Sequence, residues 1–257
     1  MVIQRVIPIL LVSGGRLVKT TRFSNPVYIG DPLNTLRIFN RLEADEVCFL
    51  DIDAARRKAE PPLHLIRRLS VQAFMPLAYG GGITRVETGQ AIVEAGVEKL
   101  VLGAAFFENP AMVEKLASKV GVQSVMCALD FKSSWSGKRY VVLRGATRRV
   151  KMSPEEALSH VQSVGAGEII LTDVDREGTW RGLDLDFFGR LLPLCRVPVI
   201  VHGGVSDASD AERALAFPGV SAVGVGNLCI YQKKGAGILI NYPPIRRHRL
   251  SLKSEEG

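Results

Sequence analysis

Short apolar runs alternate along the chain with longer amphipathic stretches of helical spacing. The runs predict strands over 5–12, 46–52, 75–79, 99–103, 124–130, 168–173, 197–201 and 221–225. Helices are predicted near 32–43, 60–72, 85–95, 109–119, 153–164, 184–193 and 207–216. Such alternation implies parallel strands joined by crossover helices. Eight strands point to an α/β fold of the closed (βα)8 TIM-barrel type. A doubly wound open sheet is the alternative, but its Gly-x-Gly-x-x-Gly opening is absent after the first strand. Asp31-Pro32 and Ser153-Pro154-Glu155-Glu156 read as helix starts, with Gly96 and Gly121 as stops. Residues 13–30 and 131–152 form long connections after strands one and five, where barrels usually cover substrate. Residues 1–232 read as the barrel. Residues 233–257 read as an altered C-terminal segment ending in a partly disordered basic tail, with no full final helix.

The pattern also repeats at long range. Phe49-Leu50-Asp51-Ile52-Asp53 is echoed by Leu171-Thr172-Asp173-Val174-Asp175, about 122 residues later. Gly81-Gly82 is echoed by Gly203-Gly204, and Gly103-Ala104-Ala105 falls close to Gly224-Val225-Gly226-Asn227. A fixed long period implies two similar half-barrels. The first strands of the halves correspond too, and there they differ: the second half has Asp130 where the first has Leu11.

Composition narrows the class. The 257 residues are 47% apolar and 23% charged, as in a globular protein that buries a large core. Cys48, Cys127, Cys195 and Cys229 are far apart, and three lie in apolar runs, so buried thiols in a reducing compartment are expected. No apolar run is long enough for a membrane span, and the first residues lead straight into a strand, so a cytoplasmic location is expected. Part of the net charge of +7 sits in Arg246-Arg247-His248-Arg249 and part in Arg144 to Lys151. Neither cluster interleaves with aromatics in a nucleic-acid-binding pattern, so no nucleic-acid partner is expected, and an anionic substrate or an acidic partner surface explains the balance as well as nucleic acid does.

The candidate chemistry lies at strand ends. Gly81 and Gly82, followed by Gly103-Ala104, bare backbone N–H groups that can wrap a phosphate. Gly203 and Gly204, followed by Gly226-Asn227, offer the same arrangement. Two such turns in register point to a substrate with two phosphates. Asp130 closes an apolar strand where a carboxylate can give or take a proton. Lys19, Asp51, Thr172, Glu177 and His202 are candidate substrate contacts, Asp51 equally readable as a loop holder and His202 as a polar pocket lining. No histidine or cysteine spacing makes a metal site, and no cofactor is called for.

Arg5-Val6-Ile7-Pro8, Gly15-Arg16-Leu17-Val18-Lys19, Gly30-Asp31-Pro32, Gly80-Gly81-Gly82-Ile83 and Asp175-Arg176-Glu177-Gly178-Thr179 resemble the cyclase subunit of imidazole glycerol phosphate synthase over residues 3 to 230. The resemblance implies a (βα)8 barrel of two fused half-barrels with a bis-phosphorylated substrate. It also implies ammonia supplied by a class I amidotransferase-like glutaminase docked at the N-terminal face. It implies an ammonia gate at Arg5, Glu46, Lys99 and Glu168. One of two family aspartates matches Asp130 and the other position is Leu11. A polar position is Gly103, a small residue is replaced by His202, and an aspartate by Glu177. This combination resembles the divergent second copy of the subunit found in surface-polysaccharide gene sets. There the implied role includes a sugar amidotransferase as a further partner. A working cyclase that recruits Asp51 or Glu177, and a non-catalytic scaffold, are the alternatives.

Overall fold

The computed structural model describes residues 2–54, 59–246 and 249–250. Eight strands form the barrel: Arg5–Ser13, Val47–Asp51, Leu77–Gly80, Lys99–Leu102, Val125–Ser133, Glu168–Asp173, Val199–His202 and Ala222–Val225. Each pairs in parallel with its successor, and the eighth returns to the first with Val223 beside Val6. All eight begin within two residues of the predicted runs. The chain is thus a (βα)8 TIM barrel.

Alternation along the strands sorts the core into two shells. The inner shell is built of Ile7, Ile9, Cys48, Ala78, Val101, Met126, Ile170, Ile200 and Ala222. The outer shell packs strands against helices. On Pro32–Arg41 the buried Leu33, Leu36 and Phe39 recur at helical spacing, and on Pro154–Val164 so do Ala157, Leu158 and Val161. Each fully buried Leu or Phe of this kind contributes roughly 1.5–3 kcal/mol.

Helix ends follow the local sequence. The Asp31 carboxylate accepts from Asn34 N at 2.9 Å with Pro32 at the first helical position. Ser153 and Glu156 form a reciprocal capping box at 3.1 and 2.7 Å. Gly121, at φ +91, ends Pro110–Val120.

The two long connections are hairpins, which corrects their reading as loops. After strand one, Arg16–Thr21 pairs antiparallel with that strand and with Ser24–Gly30. Gly14 and Gly15 turn between them at φ +57 and +76, a left-handed pair suited to a two-residue hairpin turn. After strand five, Arg139–Leu143 folds back so that Val142 faces Asp130, just as Val18 faces Leu11 in the first half.

The strand-to-helix turns repeat closely. Asp51 Oδ1 accepts from Asp53 N and Ala54 N at 3.0 and 3.1 Å, and Asp173 Oδ1 from Asp175 N and Arg176 N at 3.0 and 3.3 Å. Asp53 accepts from the Ser13 hydroxyl at 2.6 Å, and Asp175 from Ser133 N at 2.7 Å.

In place of a full last helix there is one short turn, Asn227–Ile230, then an extended segment bridged from Tyr231 to Ile238. That segment ends on the barrel. The Tyr242 hydroxyl lies 2.8 Å from the Val6 carbonyl and 2.9 Å from the Asp45 carboxylate, its ring stands edge-on to Phe39, and Ile245 is buried. Most of the tail expected to be disordered, 247–248 and 251–257, lies outside the described residues.

Candidate active site and charged ring

Four of the strands carry charged side chains at the floor of the barrel, and the opposite strand ends line a mouth of mixed polar and apolar character. At the floor, Arg5 pairs with Glu46 and Glu168, and Lys99 reaches Glu46 at 3.0 Å and Glu168 at 2.7 Å. Both carboxylates are almost wholly buried, whereas both cations keep about a fifth of their side chains exposed at 20% and 19%. The four candidate gate residues therefore form one closed ring of alternating charge. Burial opposes the charge on Arg5, but Glu168 and Glu46 outweigh it and raise its pKa. Above the ring the small Cys48, Ala78 and Ala222 limit how tightly the centre is filled. Burial raises the Cys48 thiol, so it stays protonated.

At the mouth, a cavity of about 200 Å³ is lined by Ile9, Leu11, Thr20, Leu50, Asp51, Gly103, Asp130, Thr172, Glu177 and His202, with others. Burial pushes the Asp130 carboxyl up to about 7, opposed by a hydrogen bond with Thr172. Part of Asp130 remains open to the cavity, which moderates that burial effect. A carboxyl titrating near neutrality suits acid–base work. Leu11 lines the same cavity at 8% exposure and supplies only methyl groups. Asp51 lines it too while holding the turn described above.

The first-half glycine turn, the first candidate phosphate grip, opens beside this cavity. Gly81, Gly82, Gly103 and Ala104 border a space of about 520 Å³, together with Thr84, Asn109 and Arg144. A Cβ at Gly81 would lie 2.4 Å from the Asp51 carbonyl oxygen, so the close turn demands glycine. Gly103 differs: a Cβ there would meet Ala128 O at an ordinary 3.4 Å. Its bareness enlarges the cavity and is not imposed by the backbone.

The second-half grip has the same backbone but little space. Gly203 would place a Cβ 2.5 Å from the Asp173 carbonyl oxygen, matching Gly81. Around Gly204, Gly226 and Asn227 the cavity is only about 10 Å³. Lys19, arriving from the first hairpin, pairs with Glu177, and both are buried at 6% and 3% exposure. The Asn227 amide donates to Gly178 O at 2.9 Å. His202 Nδ1 donates to Gly224 O at 2.9 Å, and burial holds its pKa below the ordinary value. Neutral His202 therefore leaves Nε2 bare, 4.0 Å from Glu177 Oε1.

Two residues missed in the sequence line the site, and a third makes an ion pair at a neighbouring strand end. Arg144 borders both the open grip and the central cavity and grasps Glu108 bidentately, which lowers the Glu108 pKa. The basic run from Arg144 to Lys151 was the available signal. Thr20 lines the central cavity and carries a buried hydroxyl without a partner, and Arg139 reaches Asp173 at 2.9 Å across the second half. No local pattern marks either contact. Among the described residues no group of three or more His, Cys, Asp or Glu could hold a metal, and no helix is long and apolar enough to cross a membrane.

The model of the family described as "Histidine biosynthesis protein" matches residues 5–235. The chain belongs to this family. Within it, the chain is 43% identical over 240 residues to a Leptospira interrogans protein named "Putative imidazole glycerol phosphate synthase subunit HisF", covering 93% of this chain and 94% of that one. It is 40% identical over 241 residues to a Vibrio vulnificus (strain YJ016) protein of the same description designated hisF3, covering 93% of each. It is 38% identical over 247 residues to a Pseudomonas aeruginosa protein designated hisF2, covering 96% of this chain and 98% of that one. The chain is a HisF-like, cyclase-type family member, and the numbered copies are among its relatives.

Proposed function

We propose that this barrel is an ammonia-accepting, lyase-type synthase subunit whose floor is kept for delivery while its mouth has moved away from imidazole glycerol phosphate formation. One observation carries this reading. Asp130, titrating near 7, shares the central cavity with an apolar Leu11 wall, whereas the four-charge ring at the opposite end is complete. A general acid or base contributes about 10²–10⁴-fold, so losing one of two groups costs on that scale. A glutaminase docks at the N-terminal face and supplies ammonia, and a phosphorylated substrate sits at the mouth with phosphate on Gly82 and Gly103. Asp130 serves as the proton-transfer group, with Thr172 hydrogen-bonded to it. The kept floor and altered mouth fit a role in sugar amidation during surface-polysaccharide synthesis, with a sugar amidotransferase receiving the ammonia.

The test supplies purified chain with the bis-phosphorylated cyclase substrate and excess ammonium salt. Turnover should fall at least about 100-fold below that of relatives carrying both acids, and Leu11→Asp should raise kcat at least about tenfold. Wild-type turnover at the level of those relatives would overturn the reading.

A further inference from the structure

The two grips share a backbone but differ in what fills them. The first opens onto about 520 Å³ and the second onto about 10 Å³, room for no more than about one water. The filling is side chain. A Cβ built at Gly226 would lie 3.2 Å from Glu177 Oε1 and 3.2 Å from Lys19 Nζ. The ion pair therefore sits directly against the glycine expected to hold a phosphate. Family resemblance implies an aspartate at position 177, and glutamate carries its carboxylate one methylene further. Lys19, the cation that could meet a phosphate there, is already neutralised. A second phosphate would meet a buried like charge in a low-dielectric pocket, which is strongly unfavourable.

What is left unpartnered points to a different ligand end. Glu177 Oε2 is buried, has no hydrogen-bond partner and belongs to a residue lining the central cavity. Buried acceptors of this kind are rarely left unmatched. His202 Nε2 is a second bare acceptor nearby, and the Thr20 hydroxyl is also buried without a partner. Two acceptors and a hydroxyl favour a group that donates hydrogen bonds, such as a polyol or an amine.

We infer that Glu177, held by Lys19, occupies the second anion grip itself, so that the ligand carries one phosphate on the Gly82–Gly103 side and presents hydroxyl or amine donors to Glu177 Oε2 and His202 Nε2. This rests on the phosphate reading of the first-half grip. A monophosphorylated sugar or amino sugar is the class that fits, extending from the first-half grip through the central cavity. Glu177 and His202 then determine specificity by rejecting a second phosphate.

Equilibrium dialysis with inorganic phosphate, and calorimetry with ribose 5-phosphate against ribulose 1,5-bisphosphate, test it. Wild-type protein should bind one phosphate per chain, and the two pentose esters should differ by less than about threefold. Glu177→Ser should free Lys19, admit a second phosphate and favour the bisphosphate at least about tenfold. Two phosphates per wild-type chain, or a tenfold wild-type preference for the bisphosphate, would overturn the closed grip. No phosphate at all would instead remove the first-grip reading and the monophosphate assignment with it. The wild-type measurements decide the matter even if Glu177→Ser does not fold.

Discussion

The two half-barrels match where the backbone leaves no choice and part where side chains face the cavity. Asp51 and Asp173 cap equivalent turns, and Gly81 and Gly203 approach the carbonyls of those residues at 2.4 and 2.5 Å from a would-be Cβ. Inward-facing positions differ: Leu11 against Asp130, an open first grip against one filled by Lys19 and Glu177. Even the floor is uneven. Glu46 and Glu168 repeat, but the cations Arg5 and Lys99 both come from the first half, and Ala222, paired with Ile200 as Lys99 is with Ala78, stands where the repeat would place a second lysine. Turn geometry is fixed by sterics that any sequence on this fold must obey. The cavity is free of that constraint, so its asymmetry reports what the barrel has been shaped to do.

The largest effect is expected at the floor. Lys99→Glu would set three carboxylates around Arg5, and urea unfolding should register a loss of about 3–5 kcal/mol. A loss below about 1 kcal/mol would mean that the ring is solvated in solution.

Next come the paired glycines. Gly81→Ala and Gly203→Ala each force a side chain against backbone at φ +112 and +110. Each should cost about 2–4 kcal/mol, and the two costs should agree within about 1 kcal/mol if the halves are equivalent scaffolds. Unequal costs would break the comparison at its symmetric part.

Asp130 should leave a pH signature with no first-half counterpart. Its folded pKa of about 7 lies above the unfolded value. Below about pH 4 the carboxyl is protonated in both states and the contribution to stability is full. It is lost progressively as pH rises from about 4 to about 7, because the unfolded chain ionises over that range while the folded carboxyl holds its proton, and the loss is complete once pH has risen through the folded pKa. Asp130→Asn should flatten this decline and be more stable than wild type above pH 7. The difference should be on the order of 1–2 kcal/mol, less than the full shift implies, since Asp130 is partly open to the cavity. Chemical denaturation between pH 4 and 8 checks this, and a decline surviving in the variant would assign it elsewhere.

The smallest effect belongs to Gly103→Ala. Its Cβ meets only ordinary contact at 3.4 Å, so stability should change by less than about 0.5 kcal/mol while phosphate affinity falls. A large stability loss would show that Gly103 is bare for packing reasons.

Much of this was legible in the sequence because barrel strands are short, apolar and bounded by glycines. Strand starts and helix caps such as Asp31 and Ser153 follow from local periodicity and capping chemistry. The first hairpin is hard to read although Gly14-Gly15 is a recognised hairpin turn signal, because the apolar run after it, Leu17-Val18, is brief. Leu11 stood out only through the repeat. The Lys19–Glu177 pair cannot be read from the sequence: its members are far apart, and the hairpin that brings Lys19 to the site is set by tertiary pairing with strand one. Glu177 was recognised as a substitution, but that it fills the grip depends on a tertiary contact.

The most direct test is a crystal structure of the wild-type chain grown in inorganic phosphate. The expected result is one phosphate, seated against Gly82 and Gly103, with Lys19 still paired to Glu177 and none at Gly204 and Gly226. Phosphate in both grips, with that pair drawn apart, would contradict the account.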